Sequence, residues 1–315
     1  MEQRRPPEQR RREEAEERAD ASRPLTLQQY LETCHSLSLA VEIITDRSLT
    51  TQADTTKPTG RIYPRRIILW TTFATEQEHI WNELSFSHFF SSQPAFPSRH
   101  QQDYVRSLLR PVSSEIGPRN CERDVVEHAV QKLMDVTYND SSLRSYLDLD
   151  RTVTFESHTN LGITDDSPSE SMEQVSIGSR PPSRITRQYR KTRGKGNRGG
   201  QFCIYRTSDD QNITVIAIEY KAPHKSRRGE IVIGLALEIQ PDCDVINQEG
   251  EGYEFAATRL ATDVVTQLFS YMIGKGIQYG YIDTEETYVF LHCCFQLQRL
   301  EPYSYQRFFS HASDF

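Results

Sequence analysis

The chemistry-bearing pattern of this chain is Ile218-Glu219-Tyr220-Lys221, a carboxylate and an amine two positions apart. Side chains alternate along a β-strand, so Glu219 and Lys221 would share one face and Ile218 and Tyr220 the other. Such a pair suits phosphodiester hydrolysis: the carboxylate can hold Mg²⁺, and the lysine can act as base or offset developing negative charge. Pro223 follows closely and ends the ladder, which puts the pair near a strand end. A salt-bridging pair on a surface strand would look the same, so the surroundings must decide. Gln267 and Tyr271 are four apart and project side by side from a helix, where they could position a phosphate backbone or a water. A polar helix edge is their plainer reading.

Basic residues gather on both sides of the same pattern. Arg184, Arg187, Arg190, Lys191, Arg193, Lys195 and Arg198 run into the strand pair that carries Glu219, and Lys225, Arg227 and Arg228 leave it. Together they would neutralise phosphates in a salt-sensitive, sequence-indifferent way, with Tyr189 available for stacking on a base. A nuclear-import signal or a solvated linker has the same composition. The net charge of −7 means that any surface for DNA or RNA has to be local.

The elements that must position these residues follow from periodicity and punctuation. Residues 1–23 alternate Arg with Glu without an apolar face and read as a disordered charged tail. Residues 24–115 read as a helical accessory region, with helices at Leu27–Leu31 and around Trp70–Trp81. Asn120 is the expected N-cap of an amphipathic helix whose apolar face is Val126, Ala129, Val130, Leu133 and Met134. A strand at Thr152–Glu156 comes next, then a disordered Ser-rich and basic insertion at 157–199. Gln201–Thr207 and Ile213–Lys221 make a hairpin about the turn at Ser208-Asp209-Asp210-Gln211. A long helix over Tyr253–Ile273, stopped by Gly274 and Gly276, leads to strands at Ile277–Asp283 and Thr287–Cys293.

This order, the E-x-K pattern and the later Q-x-x-x-Y together resemble the PD-(D/E)XK, or restriction-endonuclease-like, superfamily. The resemblance implies an α/β (α+β) fold with an αβββαβ core over 116–294, Glu219 as metal ligand, Lys221 as catalytic lysine, and Gln267 and Tyr271 as site residues. It also implies Mg²⁺ as cofactor. A closer similarity rests on Glu219-Tyr220-Lys221-Ala222-Pro223-His224-Lys225, on Gln267-Leu268-Phe269-Ser270-Tyr271 and on Leu25-Thr26-Leu27-Gln28-Gln29-Tyr30-Leu31. These strings look like a large family of filamentous-fungal proteins, some of which continue into a protein-kinase-like domain. Residues 295–315 diverge from that pattern as a tail.

One departure bears on activity. The superfamily places an acid on the strand before E-x-K, yet the hairpin register sets Gly200 or Gln201 across from Glu219. Family relatives tend to carry an Asp-Gln pair where this chain has Gly200-Gln201. Asp209 and Asp210 sit about 30 Å away along the hairpin and belong to its turn. An early-helix acid, Glu127 or else Glu122, is the remaining candidate for a second metal ligand, although first-turn dipole complement or a solvated face is the plainer reading of both. The reading is therefore a nuclease-like, nucleic-acid-binding protein with a degenerate core. The alternative is a non-catalytic interaction or regulatory module tied to a protein-kinase-like partner.

Several classes are excluded. The sequence has no run apolar enough to span a bilayer and no hydrophobic signal core, which points to an intracellular chain. Six cysteines without C-x-x-C spacing and nine histidines without H-E-x-x-H argue against zinc. No glycine-rich phosphate loop, H-R-D or D-F-G is present for a kinase.

Overall fold

Val, Ile and Thr crowd Asn212–Tyr220, and β-branched side chains favour the extended backbone, so this segment forms the inner strand β4. The computed structural model describes residues 7–44, 46–50, 61–87, 90, 92–157, 200–209, 211–294 and 307–313. Its strands are β1 (Arg66–Leu69), β2 (Val153–Ser157), β3 (Gln201–Arg206), β4, β5 (Tyr279–Asp283), β6 (Tyr288–Cys294) and β7 (Arg307–Ser313). They make one seven-stranded sheet in the order β1-β7-β6-β5-β4-β3-β2. Pairing is mostly antiparallel, with β4 parallel to β5 and β1 parallel to β7. Parallel neighbours need a crossover. Between β4 and β5 it consists of α8 (Arg228–Gly234), α9 (Pro241–Asp244) and α10 (Tyr253–Lys275).

The earlier helices are α1 (Pro7–Ala21), α2 (Leu27–Ser38), α3 (Phe73–Phe86), α4 (Arg99–Leu108), α5 (Ile116–Glu122), α6 (His128–Asn139) and α7 (Ser141–Tyr146). A capping box fixes the start of α2: the Thr26 hydroxyl accepts from the Gln29 backbone, and the Gln29 side chain accepts from the Thr26 N–H. Leu27 and Tyr30 of α2 then pack with Phe90, Phe96, Val136 and Leu143 in a core of their own.

Alternation gives the sheet two distinct faces. On one, Ile204, Ala217, Ile282, Val289 and Leu291 pack against Ile231 of α8 and Ala261, Val265, Leu268, Phe269 and Met272 of α10. On the other, Ile218, Tyr220 and Tyr281 gather with Phe155, Ile216, Tyr288 and Phe290. The α5–α6 segment lies against this second face, since side chains of Glu122 and Glu127 accept from its tyrosines.

Several sequence expectations need correction. The 1–23 segment, expected to be disordered, is helical over Pro7–Ala21: Pro at the first position and a run of Glu, Arg and Ala favour a helix even without an apolar face. The accessory region is not wholly helical, because Arg66–Leu69 joins the sheet as β1 and its Ile67 also exchanges backbone bonds with Ile239. Trp70 is buried, whereas Trp81 is exposed. Asn120 is no N-cap, for the helix already begins at Ile116, and Pro118 fits its first turn where no N–H partner is needed.

A π-helical turn at Arg123–Glu127 links α5 to α6. Its wider turn shifts the apolar face only in part: Ala129 and Leu133 pack on the α2 core as expected, but Val125 and Val136 are buried while Val130 is exposed. Replacing Val125 with Ala should therefore cost about 2 kcal/mol, and Val130→Ala should stay within about 0.5 kcal/mol. Equal losses in urea denaturation would contradict the π-turn register.

Candidate functional site: a buried Glu-Lys-Gln contact beside a carboxylate cluster

β4 ends at Tyr220, and the Lys221 N–H continues the ladder for one bond to the Asp283 carbonyl before Pro223. Glu219 pairs with Ile282, so its side chain faces α10. There the Lys221 Nζ donates to Glu219 Oε1 at 2.9 Å and to Gln267 Oε1 at 2.7 Å. The Gln267 Nε2 closes the ring by donating to the same Glu219 oxygen. All three residues are buried, and the second carboxylate oxygen, Glu219 Oε2, has no partner. Lys221 and Gln267 also border a cavity of about 20 Å³, room for roughly one water, together with Glu115, Lys225, Ser226 and Asp263. Burial pushes the Asp263 carboxyl up to about 6, against the pull of Arg259.

The structure thus brings together three of the expected site residues, Glu219, Lys221 and Gln267. The fourth, Tyr271, is partly buried and packs on the main core. Glu127 lies elsewhere: it accepts from the Tyr220 hydroxyl at 3.0 Å and from Gln201 Nε2 at 2.8 Å, on the face of β4 opposite to Glu219. Arg227 and Arg228 are exposed at the start of α8, and Lys225 pairs with Glu115 at 3.1 Å. Arg187, Arg190, Lys191, Arg193, Lys195 and Arg198 lie outside the described residues. Asp209 is an exposed turn residue whose carboxylate accepts from Thr207.

Register confirms which position faces Glu219. β3 and β4 pair Gln201 with Ile218 after an irregularity at Cys203/Ile204, so the next pair sets Gly200 beside Glu219. A Cβ built on Gly200 would lie 1.9 Å from the Ile218 carbonyl oxygen, far inside van der Waals contact. The backbone itself thus bars a carboxylate there.

A second polar group adds Asp283 and Glu285, which the sequence did not mark, to the early-helix acids Glu122 and Glu127. Glu122, Glu127 and Asp283 are buried on the tyrosine face, with Glu285 half-buried beside them. In an uninterrupted α-helix, residues five apart diverge by roughly 140°; the π turn brings Glu122 and Glu127 to the same face instead. Glu122 accepts from Tyr281 and, at 2.8 Å, from Tyr288. Burial, reinforced by the charge of Asp283, raises the Glu122 carboxyl well above its usual range. Burial and the Glu285 charge do the same to Asp283. Glu127 is pushed up to about 7 and Glu285 to about 8, both chiefly by burial.

The chain is thus a mixed α/β protein that buries an acid, a base and an amide at the end of a sheet strand. Residues 26–300 match the family described as the Spore killer 2 N-terminal domain, a fungal family, and the chain belongs to it. No curated protein and no solved structure matches it. Among the described residues, no helix is long and apolar enough to cross a membrane.

Two outcomes are expected. Lys221→Ala strands a buried carboxylate and should cost about 3–5 kcal/mol in urea denaturation, whereas the double change Glu219→Leu with Lys221→Met should recover most of it. The carboxyls of Glu127 and Glu285 hold their protons more tightly folded than unfolded. Their stabilising contribution is full below about 4.5 and is lost as pH rises through about 7 and 8, so thermal midpoints should fall across that window. Glu285→Gln should flatten the upper half of the fall; an unchanged profile would contradict the assignment.

Proposed function

We propose that the chain is a nuclease-like, nucleic-acid-binding protein whose core has lost a metal-ligand carboxylate. The observation that carries this reading is the buried contact of Glu219, Lys221 and Gln267, one strand and one helix converging as a phosphodiesterase site requires. The run α6, β2, β3, β4, α10, β5 supports it, with antiparallel, antiparallel and then parallel pairing, the order expected of a restriction-endonuclease-like core.

The donor set does not fit a resident Mg²⁺. Glu219 Oε2 is one available oxygen, but Gly200 offers none and Glu127 sits on the other face of the sheet. Lys221 donates to two protein oxygens and serves to neutralise Glu219. Binding without cutting is the consistent outcome, with Arg227 and Arg228 exposed beside the strand end to neutralise phosphates. The self-satisfied Lys221 contact favours a second reading equally free of catalysis, a scaffold that regulates a protein-kinase-like partner.

Fluorescence anisotropy with DNA and RNA over a salt series separates these readings. Binding should weaken linearly in log salt, and replacing both Arg227 and Arg228 with Ala should lower the slope by about 2. No salt-dependent binding would leave the scaffold reading. Mg²⁺-dependent cleavage, abolished by Lys221→Ala, would overturn the loss of activity.

A further inference from the structure

A cleft of about 480 Å³ opens between α4 and the segment that runs from the π turn into α6. None of its lining residues belongs to the sheet or to the Glu219 contact. Its volume falls within the range of small-molecule sites, about 300–1,000 Å³. The floor is apolar: Val125 and Tyr30 are buried there, the Tyr30 ring stacked on Phe96 with centroids 5.1 Å apart, and Val105 lies beside them half-buried. A π turn is a rare interruption of a helix and recurs at functional sites; two residues of this one, Asp124 and Val125, line the cleft.

The walls are polar, and their chemistry changes along their length. Asp124, His128 and Lys132 recur every four residues and all line the cleft, so they form one stripe. An acid stands at one end of it and a cation at the other, about 12 Å apart at 1.5 Å per residue. Arg123 donates to Asp124 Oδ1 at 3.0 Å, which offsets the acid's repulsion of an anion bound two turns away. From α4 come His100, Gln101 and Tyr104. The Ser22 hydroxyl lies 3.1 Å from His100 Nδ1, which leaves Nε2 for a ligand. Tyr104 is 66% exposed, a ring with little of the protein upon it.

We propose that this cleft binds a free mononucleotide. The phosphate is held by Lys132 and His128, the sugar hydroxyls donate to Asp124, and the base lies across the floor towards Tyr104. The Gln101 amide offers the base edge both a donor and an acceptor. A free amino acid carries its opposite charges on neighbouring carbons, too close to span the stripe, and inorganic phosphate would leave the aromatic floor uncovered. The site shares no residue with the strand end, so it stands whether or not that end binds nucleic acid.

The test is isothermal titration calorimetry of the whole chain with AMP, GMP, CMP and UMP, alongside the matching nucleosides and ribose 5-phosphate. At least one nucleotide should bind with a Kd on the order of 10–100 µM, and removing its base or its phosphate should weaken binding at least about tenfold. Lys132→Ala should weaken the nucleotide about tenfold and leave its nucleoside unchanged; Tyr104→Ala should weaken both by about tenfold. Neither side chain is fully buried, so both variants should keep the parent's thermal midpoint. Replacing Arg227 and Arg228 together with Ala should leave nucleotide binding as in the parent. No binding of any of the four nucleotides, equal affinity for a nucleotide and its nucleoside, unaltered nucleotide affinity in both Lys132→Ala and Tyr104→Ala, or loss of binding in the double arginine variant would each overturn the site.

Discussion

Charge buried at the end of β4 constrains everything around it. Glu219 and Lys221 are nearly without solvent, and a buried ion pair holds only where geometry and extra hydrogen bonds offset the desolvation of both partners. Gln267 supplies that offset by donating to Glu219 and accepting from Lys221. The amide can reach only if α10 lies close over the sheet, and small side chains at Ala217 and Ala261 in the shared core permit this. The strand end, the crossover helix and the main core are thereby tied to one another.

The same alternation that exposes Glu219 to α10 turns Tyr220 to the opposite side, where a different polar system grows from it. One strand therefore separates an ion pair that is internally neutral from a set of carboxyls that is not. Tyrosine hydroxyls donate to Glu122 and Glu127 and stabilise them only in part, which is why burial dominates their proton affinity. The two faces obey opposite rules although a single peptide plane divides them: one is satisfied by a lysine, the other in part by tyrosine hydroxyls.

Much of this architecture was legible in the sequence. The hairpin turn, the β-branched run of β4, the long helix with its glycine stop and the alternation of Glu219 with Tyr220 all rest on local patterns, and the structure reproduces them. Gln267 could be placed beside Lys221 only through its resemblance to a known motif, since contacts across distant segments leave no periodic trace. The π turn was illegible because no residue type marks it, and without it Glu122 and Glu127 read as first-turn acids for which only the superfamily resemblance suggested a ligand role. Asp283 and Glu285 read as strand end and turn for the same reason: their significance comes from Tyr281 and Tyr288 beside them and from α5 packed above.

Gly200 has a consequence for descent. Placing an acid at position 200 is closed to a single codon change, because the Ile218 carbonyl occupies the room that any Cβ would need. The exchange would require the main chains of β3 and β4 to part before the new side chain conferred any advantage. Such a step behaves as a ratchet, and it holds this strand end to the single carboxylate of Glu219.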